Sequence, residues 1–144
     1  MRGTLLLAVL AALSGIAAEA RAQEPEGSCT GDGTTLCLND DRFRVTVQWE
    51  NAAGDSGDGQ GVQLTGDTGY FWFFSEDNVE VVIKVLNGCG IGDGAYWVFI
   101  GGLTDVRVEV DVEDVEAEET KTYANELGTL FVPVSDTAAF LTCD

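Results

Sequence analysis

The sequence contains no histidine. That absence removes the commonest general base, the Ser-His and Cys-His nucleophile pairs and the usual nitrogen ligand of zinc. Basic residues are also scarce: seven Lys and Arg stand against 25 Asp and Glu, for a formal net charge of −18. A surface of that sign repels phosphate backbones and anionic lipid, so nucleic acid and membrane are excluded as partners. It suits cations, basic partners or a saline medium. No Lys-Ser/Thr follows the alternating Gly88, Gly90, Gly92 and Gly94, so no phosphate loop is present. Carboxylates are too many and too evenly spread for any chosen pair to mark general acid–base catalysis, and no enzyme activity is expected.

Long apolar runs are missing everywhere except at the start. Met1-Arg2-Gly3 is followed by the Leu/Ala-rich stretch Thr4 to Ala18 and by Ala20-Arg21-Ala22, the pattern of a cleaved Sec leader over residues 1–22. About 15 apolar residues fall short of the ~20 needed by a membrane-spanning helix. The expected product is a secreted chain of one domain, with residues 23–36 as an exposed, acidic, Gly-rich lead-in and 37–144 as the folded unit. Four cysteines in an exported chain read as two disulfides. Three pairings are open. A zigzag of strands that puts Cys37 before the first strand and Cys89 after the fourth favours Cys37–Cys89, leaving Cys29–Cys143.

What is abundant is strand pattern. Phe43-Arg44-Val45-Thr46-Val47-Gln48-Trp49 alternates without a fault, and so do Val106, Val108, Val110 and Val112 with the charged residues between them. Val79 to Leu86, Ala95 to Ile100, Thr120 to Ala124 and Leu130 to Val134 read as further strands. Pro133 puts the last of these at a sheet edge. Gly69-Tyr70-Phe71-Trp72-Phe73-Phe74 carries the most apolar surface, and its lack of alternation implies burial on both faces or a central place in a sheet. No amphipathic helix or repeat is visible. The fold expected is all-β, an antiparallel β-sandwich of about 7–9 short strands, immunoglobulin-like in general architecture and stapled by two disulfides.

Two groups of residues are candidates for binding. Tyr70, Trp72 and Phe74 share one face of their strand, and Trp97 and Phe99 share one face of theirs. If that face is open, it forms an apolar patch of a kind monomers seldom leave uncovered, fit to stack on sugar rings or receive a protein. Asp55, Asp58 and Asp93 sit beside glycines in turns and form a weaker calcium candidate, although the EF-hand frame is absent. Calcium is the only cofactor considered.

Thr35-Leu36-Cys37-Leu38-Asn39, Arg42-Phe43-Arg44-Val45, Gly69 to Phe74, Asn78 to Cys89, Trp97-Val98-Phe99-Ile100-Gly101-Gly102-Leu103-Thr104 and Asp136 to Phe140 follow one another in an order that resembles a module of secreted bacterial proteins. That module occurs alone or at the end of larger extracellular chains. The resemblance spans nearly all of the mature domain and implies a compartment and an architecture, but brings no site with it. The expected function is a secreted, non-catalytic binding or structural module with a protein or glycan partner. The alternative is an inhibitor of secreted proteases that presents Asn51 to Gly59 as a rigid loop. A calcium-stabilised extracellular domain comes third.

Overall fold

The period-two patterns fold as they read. Ten strands and no helix form among residues 27–92 and 94–143, which the computed structural model describes. They are β1 Thr35–Leu38, β2 Phe43–Glu50, β3 Ser56–Asp58, β4 Gln60–Gln63, β5 Thr68–Trp72, β6 Val81–Asn87, β7 Tyr96–Gly102, β8 Arg107–Asp114, β9 Glu119–Asn125 and β10 Val134–Phe140. The proposed leader and Asp93 lie outside the described residues. The two cleanest alternations, β2 and β8, pair along their whole length from Phe43↔Asp114 to Glu50↔Arg107. Their inward residues Phe43, Val45, Val47, Val108, Val110 and Val112 are buried, each contributing roughly 1.5–3 kcal/mol by leaving water.

Two antiparallel five-stranded sheets face each other. Sheet A runs β1-β2-β8-β9, with β3 beside the far half of β2, and sheet B runs β10-β7-β6-β5-β4. The core between them joins Leu36, Leu38 and the inner residues of β2 and β8 to Phe71, Val81, Ile83, Val85, Val98, Ile100 and Phe140. The chain passes from sheet A to sheet B at Gly59, the only residue between β3 and β4. Its amide donates to the Val47 carbonyl (2.7 Å), and a Cβ there would stand 3.1–3.2 Å from Phe73, Phe71 and Val47.

Four expectations are corrected. First, β1 begins at Thr35, so Thr35 and the core residue Leu36 belong to the fold and not to the lead-in. Second, Tyr70 to Phe74 is neither central nor covered on both faces: β5 is second from the edge, and only Phe71 and Phe73 of the five are buried. Third, Leu130 to Pro133 is not a strand. The ladder starts at Val134 because Pro133 has no N–H to donate.

Fourth, the disulfides are Cys29–Cys37 and Cys89–Cys143, not Cys37–Cys89 and Cys29–Cys143. Leu36 and Leu38 point into the core, so Cys37 between them points away from sheet B and out of reach of Cys89. The lead-in returns along the β1–β2 turn, with the Cys29 amide on the Asp41 carbonyl (2.7 Å), and brings its own cysteine to Cys37. Such structural disulfides fit an oxidising environment, and none of the four cysteines is free. No helix of the described residues is long and apolar enough to cross a membrane.

Candidate functional site

Side chains alternate across a strand, so the residues of β5, β6 and β7 that do not enter the core stand on the outer face of sheet B. Register sets them in rows. Val62, Tyr70, Val82 and Gly101 form one row across β4 to β7; Thr68, Lys84, Phe99 and Ser135 form the next; Leu86 and Trp97 form a third. Trp72 extends the face opposite Gln60. Tyr70, Trp72, Trp97 and Phe99 are all partly exposed, and Val82 is 36% exposed. Trp97 and Phe99 meet edge to face, with ring centroids 6.3 Å apart. Nothing stands within 4 Å of a Cβ built on Gly101, which leaves a shallow groove of about 350 Å³ between Phe99, Lys84, Val82 and Pro133. Of the five aromatic candidates, Tyr70, Trp72, Trp97 and Phe99 lie on this face and Phe74 does not. Val62, Val82, Leu86 and the groove are not legible in the sequence as parts of it, because the groove floor is a glycine and β4 carries too little pattern to register.

One cation stands among these rings. Lys84 Nζ lies 3.1 Å from Asp67 Oδ2. The Thr65 and Thr68 hydroxyls donate to Asp67 Oδ1 (2.7 and 2.8 Å). Those hydroxyls, and Lys84 after them, outweigh partial burial and hold the carboxyl down to about 2. The ammonium is therefore matched by a carboxylate that stays ionised.

Sheet A presents the opposite surface. Arg44 pairs with Glu113 (2.8 Å), Thr122 donates to Asp111, and Gln48, Glu109, Glu50 and Arg107 complete a polar ladder. A concavity of about 370 Å³ opens at its β3 end, lined by Gln48, Glu50, Asp58, Arg107 and Glu109 around Trp49. The indole enters because its neighbour in register is Gly57, where a Cβ would stand 3.2 Å from the ring. Phe74 leaves the candidate face and joins this end of the sandwich. It packs edge-on against Trp49 (4.8 Å) while Phe73 stacks on the same indole (5.8 Å).

The calcium candidates are not gathered. The Asp55 carboxylate accepts from Asn51 Nδ2 (3.0 Å) and closes the tight turn, while Asp58 stands on β3 opposite Gln48. No cluster of three or more acids, cysteines or histidines placed to hold a metal occurs among the described residues. The segment expected as a rigid inhibitory loop, Asn51 to Gly59, is a largely exposed hairpin whose Ser56–Asp58 arm pairs with β2.

One buried polar cluster ties the opposite end together. The Arg42 guanidinium donates from Nε and Nη2 to Asp114 (3.0–3.2 Å), from Nη1 to Tyr96 Oη (3.2 Å) and from Nη2 to the Thr142 carbonyl (2.8 Å). It also lies over the Tyr96 ring, 4.6 Å from its centroid. Asp114, fully buried, further accepts from the Thr142 hydroxyl (2.6 Å) and from the Glu116 and Ala117 amides (3.2 and 3.3 Å). Every polar atom here has a partner within the chain, and the cluster clamps the ends of β2 and β8 to Tyr96 and the C-terminal segment. Fold and surface together define a disulfide-bonded two-sheet β domain with one charged outer face and one apolar, aromatic outer face. Comparison with protein-family models, with curated proteins and with solved structures finds no match.

Proposed function

We propose that the chain is a secreted, non-catalytic binding module that takes an extracellular protein on the outer face of sheet B. One observation carries the reading. Tyr70, Trp72, Trp97 and Phe99 stand partly exposed on a single face whose only interior charge is already paired, while the other outer face is a polar ladder. Aromatic residues on a surface low in net charge are what the centre of a protein interface is built from. A protein suits the face better than a glycan because Val62, Val82 and Leu86 lie among the rings. Aliphatic groups give nothing to sugar hydroxyls, and few polar groups converge there. The leader expected at residues 1–22 and the two disulfides support export.

The test compares Phe99→Lys, in the middle of the face, with Thr46→Lys on sheet A. Both variants gain the same charge, and equal melting temperatures establish that both fold. Each is immobilised and exposed to the medium of the secreting culture and to a glycan array. Partner capture retained by Thr46→Lys and lost by Phe99→Lys is the expected result. Equal capture by both overturns the reading, as does a glycan signal that Phe99→Lys alone abolishes.

A further inference from the structure

The most exposed apolar side chains of the described residues are neither on sheet B's face nor in a turn. Leu130 is 87% exposed and Val132 76%. They alternate with Phe131, whose ring lies directly on Gly102; a Cβ at Gly102 would come within 2.1 Å of Phe131 Cδ2. No backbone hydrogen bond within the described residues is made by Leu130, Phe131 or Val132. Val132 precedes a proline, which holds it in extended geometry. The segment is thus a short stretch of free extended chain that shows two aliphatic side chains to solvent and keeps its backbone groups unpaired.

It is nevertheless held at both ends. Upstream, the buried Asn125 side chain donates to the Glu126 and Thr129 carbonyls (both 3.2 Å), and the Thr129 hydroxyl donates to the Glu126 carbonyl (2.6 Å). The Gly128 amide, on a residue at φ +73°, donates to the Asp105 carbonyl (2.7 Å). Downstream, Phe131 is pinned on Gly102 and Val134 enters the ladder opposite Ile100. An ordinary surface loop has no reason to fix an unpaired apolar strand on both sides. A partner that reads extended chain by strand addition, with a pocket for alternate side chains, does need one, and prior fixing removes most of the ordering cost of binding.

We infer that Thr129 to Pro133 is a substrate-like inhibitory segment for serine endopeptidases whose primary pocket accepts leucine. This inference does not rest on sheet B's aromatic face: only Pro133, at the end of the segment, also borders the groove over Gly101. The enzyme's serine oxygen attacks the Leu130 carbonyl carbon; the Leu130–Phe131 bond breaks, an ester forms, and the proton from the serine passes through the enzyme's base to the Phe131 nitrogen. That amine stays in place, because Phe131 remains on Gly102 and Thr129 remains tied to Asn125. It re-attacks the ester and restores both peptide bond and free serine without water. Slow attack of water on the ester instead releases chain cut between a Leu130 carboxylate and a Phe131 amine. The same steps in reverse rejoin it with loss of that water, so intact and cut chain settle at a constant ratio.

Purified protein is titrated against chymotrypsin, subtilisin and trypsin, with the intact and cleaved chain followed by mass spectrometry. The expected result is inhibition of the first two, with the 130–131 bond cut only to a constant fraction. Leu130→Arg, at a solvent-exposed position that leaves the core untouched, is expected to lose that inhibition by about 30-fold or more, the size of a lost interface anchor, and to gain inhibition of trypsin. Phe131→Ala is expected to turn the inhibitor into a substrate that is cut to completion. Absence of inhibition at micromolar concentration overturns the inference. So does complete cleavage of the unaltered chain, or an unchanged enzyme preference in Leu130→Arg.

Discussion

Replacing Asp114 by Asn keeps the shape of the side chain and removes its charge from the clamp that joins β2, β7, β8 and the C-terminal segment. The variant leaves the Arg42 guanidinium, 11% exposed, with the half-exposed Glu116 carboxylate (3.1 Å from Nη1) as its remaining counter-charge. It also leaves one amide oxygen to accept what two carboxylate oxygens accept from Arg42, Thr142, Glu116 and Ala117. Removing one partner of a buried ion pair costs roughly 3–5 kcal/mol when the remaining charge is left uncompensated. Glu116 still compensates Arg42 in part, which puts the cost at the lower end, about 3 kcal/mol. Against a total stability of about 5–15 kcal/mol, that corresponds to a fall in melting temperature of about 10–20 °C for a domain of this size.

The pH dependence gives a second readout. Burial raises the Asp114 carboxyl, but the Arg42 hydrogen bond, the Thr142 hydroxyl, the Ala117 amide and the Arg42 charge together bring it below its ordinary 3.8. A depressed folded-state value means the stabilisation is present above 3.8 and lost as pH falls through the lower folded value. Urea midpoints measured from pH 7 down to pH 2 should therefore fall steeply below about pH 4 in the parent and less steeply in Asp114→Asn. A loss under about 3 °C at pH 7, or parallel acid limbs in the two proteins, would refute the assignment of this cluster as a clamp.

Two further outcomes follow from packing and connectivity. The loop closed by Cys89–Cys143 spans 54 residues and that closed by Cys29–Cys37 spans eight. In the chain-entropy treatment their removal costs about 4 and about 2.5 kcal/mol, so Cys89→Ser/Cys143→Ser should lower the urea midpoint more than Cys29→Ser/Cys37→Ser, and the reverse order would contradict it. At Gly69, a Cβ would stand 2.4 Å from Leu36 Cδ2 and 2.8 Å from the Val62 carbonyl oxygen. Because one obstacle is backbone, Gly69→Ala should destabilise by about 1–3 kcal/mol, whereas Gly66→Ala, with open space around it, should change the midpoint little.

Where side chains alternate strictly, the fold was legible. β2 and β8 pair over the whole length their patterns announce, since a slip of one residue would turn every valine to solvent. The aromatic run misled for the opposite reason: five rings in a row carry no period, so the sequence cannot say which face is covered. In the fold, the partner sheet covers Phe71, while Tyr70 and Trp72 face away from it. The pairing of the cysteines is hidden in the sequence because β1 is too short to show a period: Leu36 and Leu38 are its inward pair, which turns Cys37 outward and away from Cys89. The open groove over Gly101 and the seat of Phe131 on Gly102 were beyond reach, since both depend on which glycine meets which side chain across long stretches of chain.

The placement of the two bridges decides how the molecule bears tension. A pull applied at Gly27 and Cys143 passes from Cys29 to Cys37 through sulfur and again from Cys89 to Cys143 through sulfur. Only the stretch from Cys37 to Cys89 can then lengthen, to about 180 Å at full extension, where an unbridged chain between the same points would reach about 400 Å. β7 to β10, with the exposed strap before β10, lie on the slack side of that circuit. Their backbone bears no load while the bridge holds, so tension reaches the strap only through the pairing of β2 with β8 and of β6 with β7.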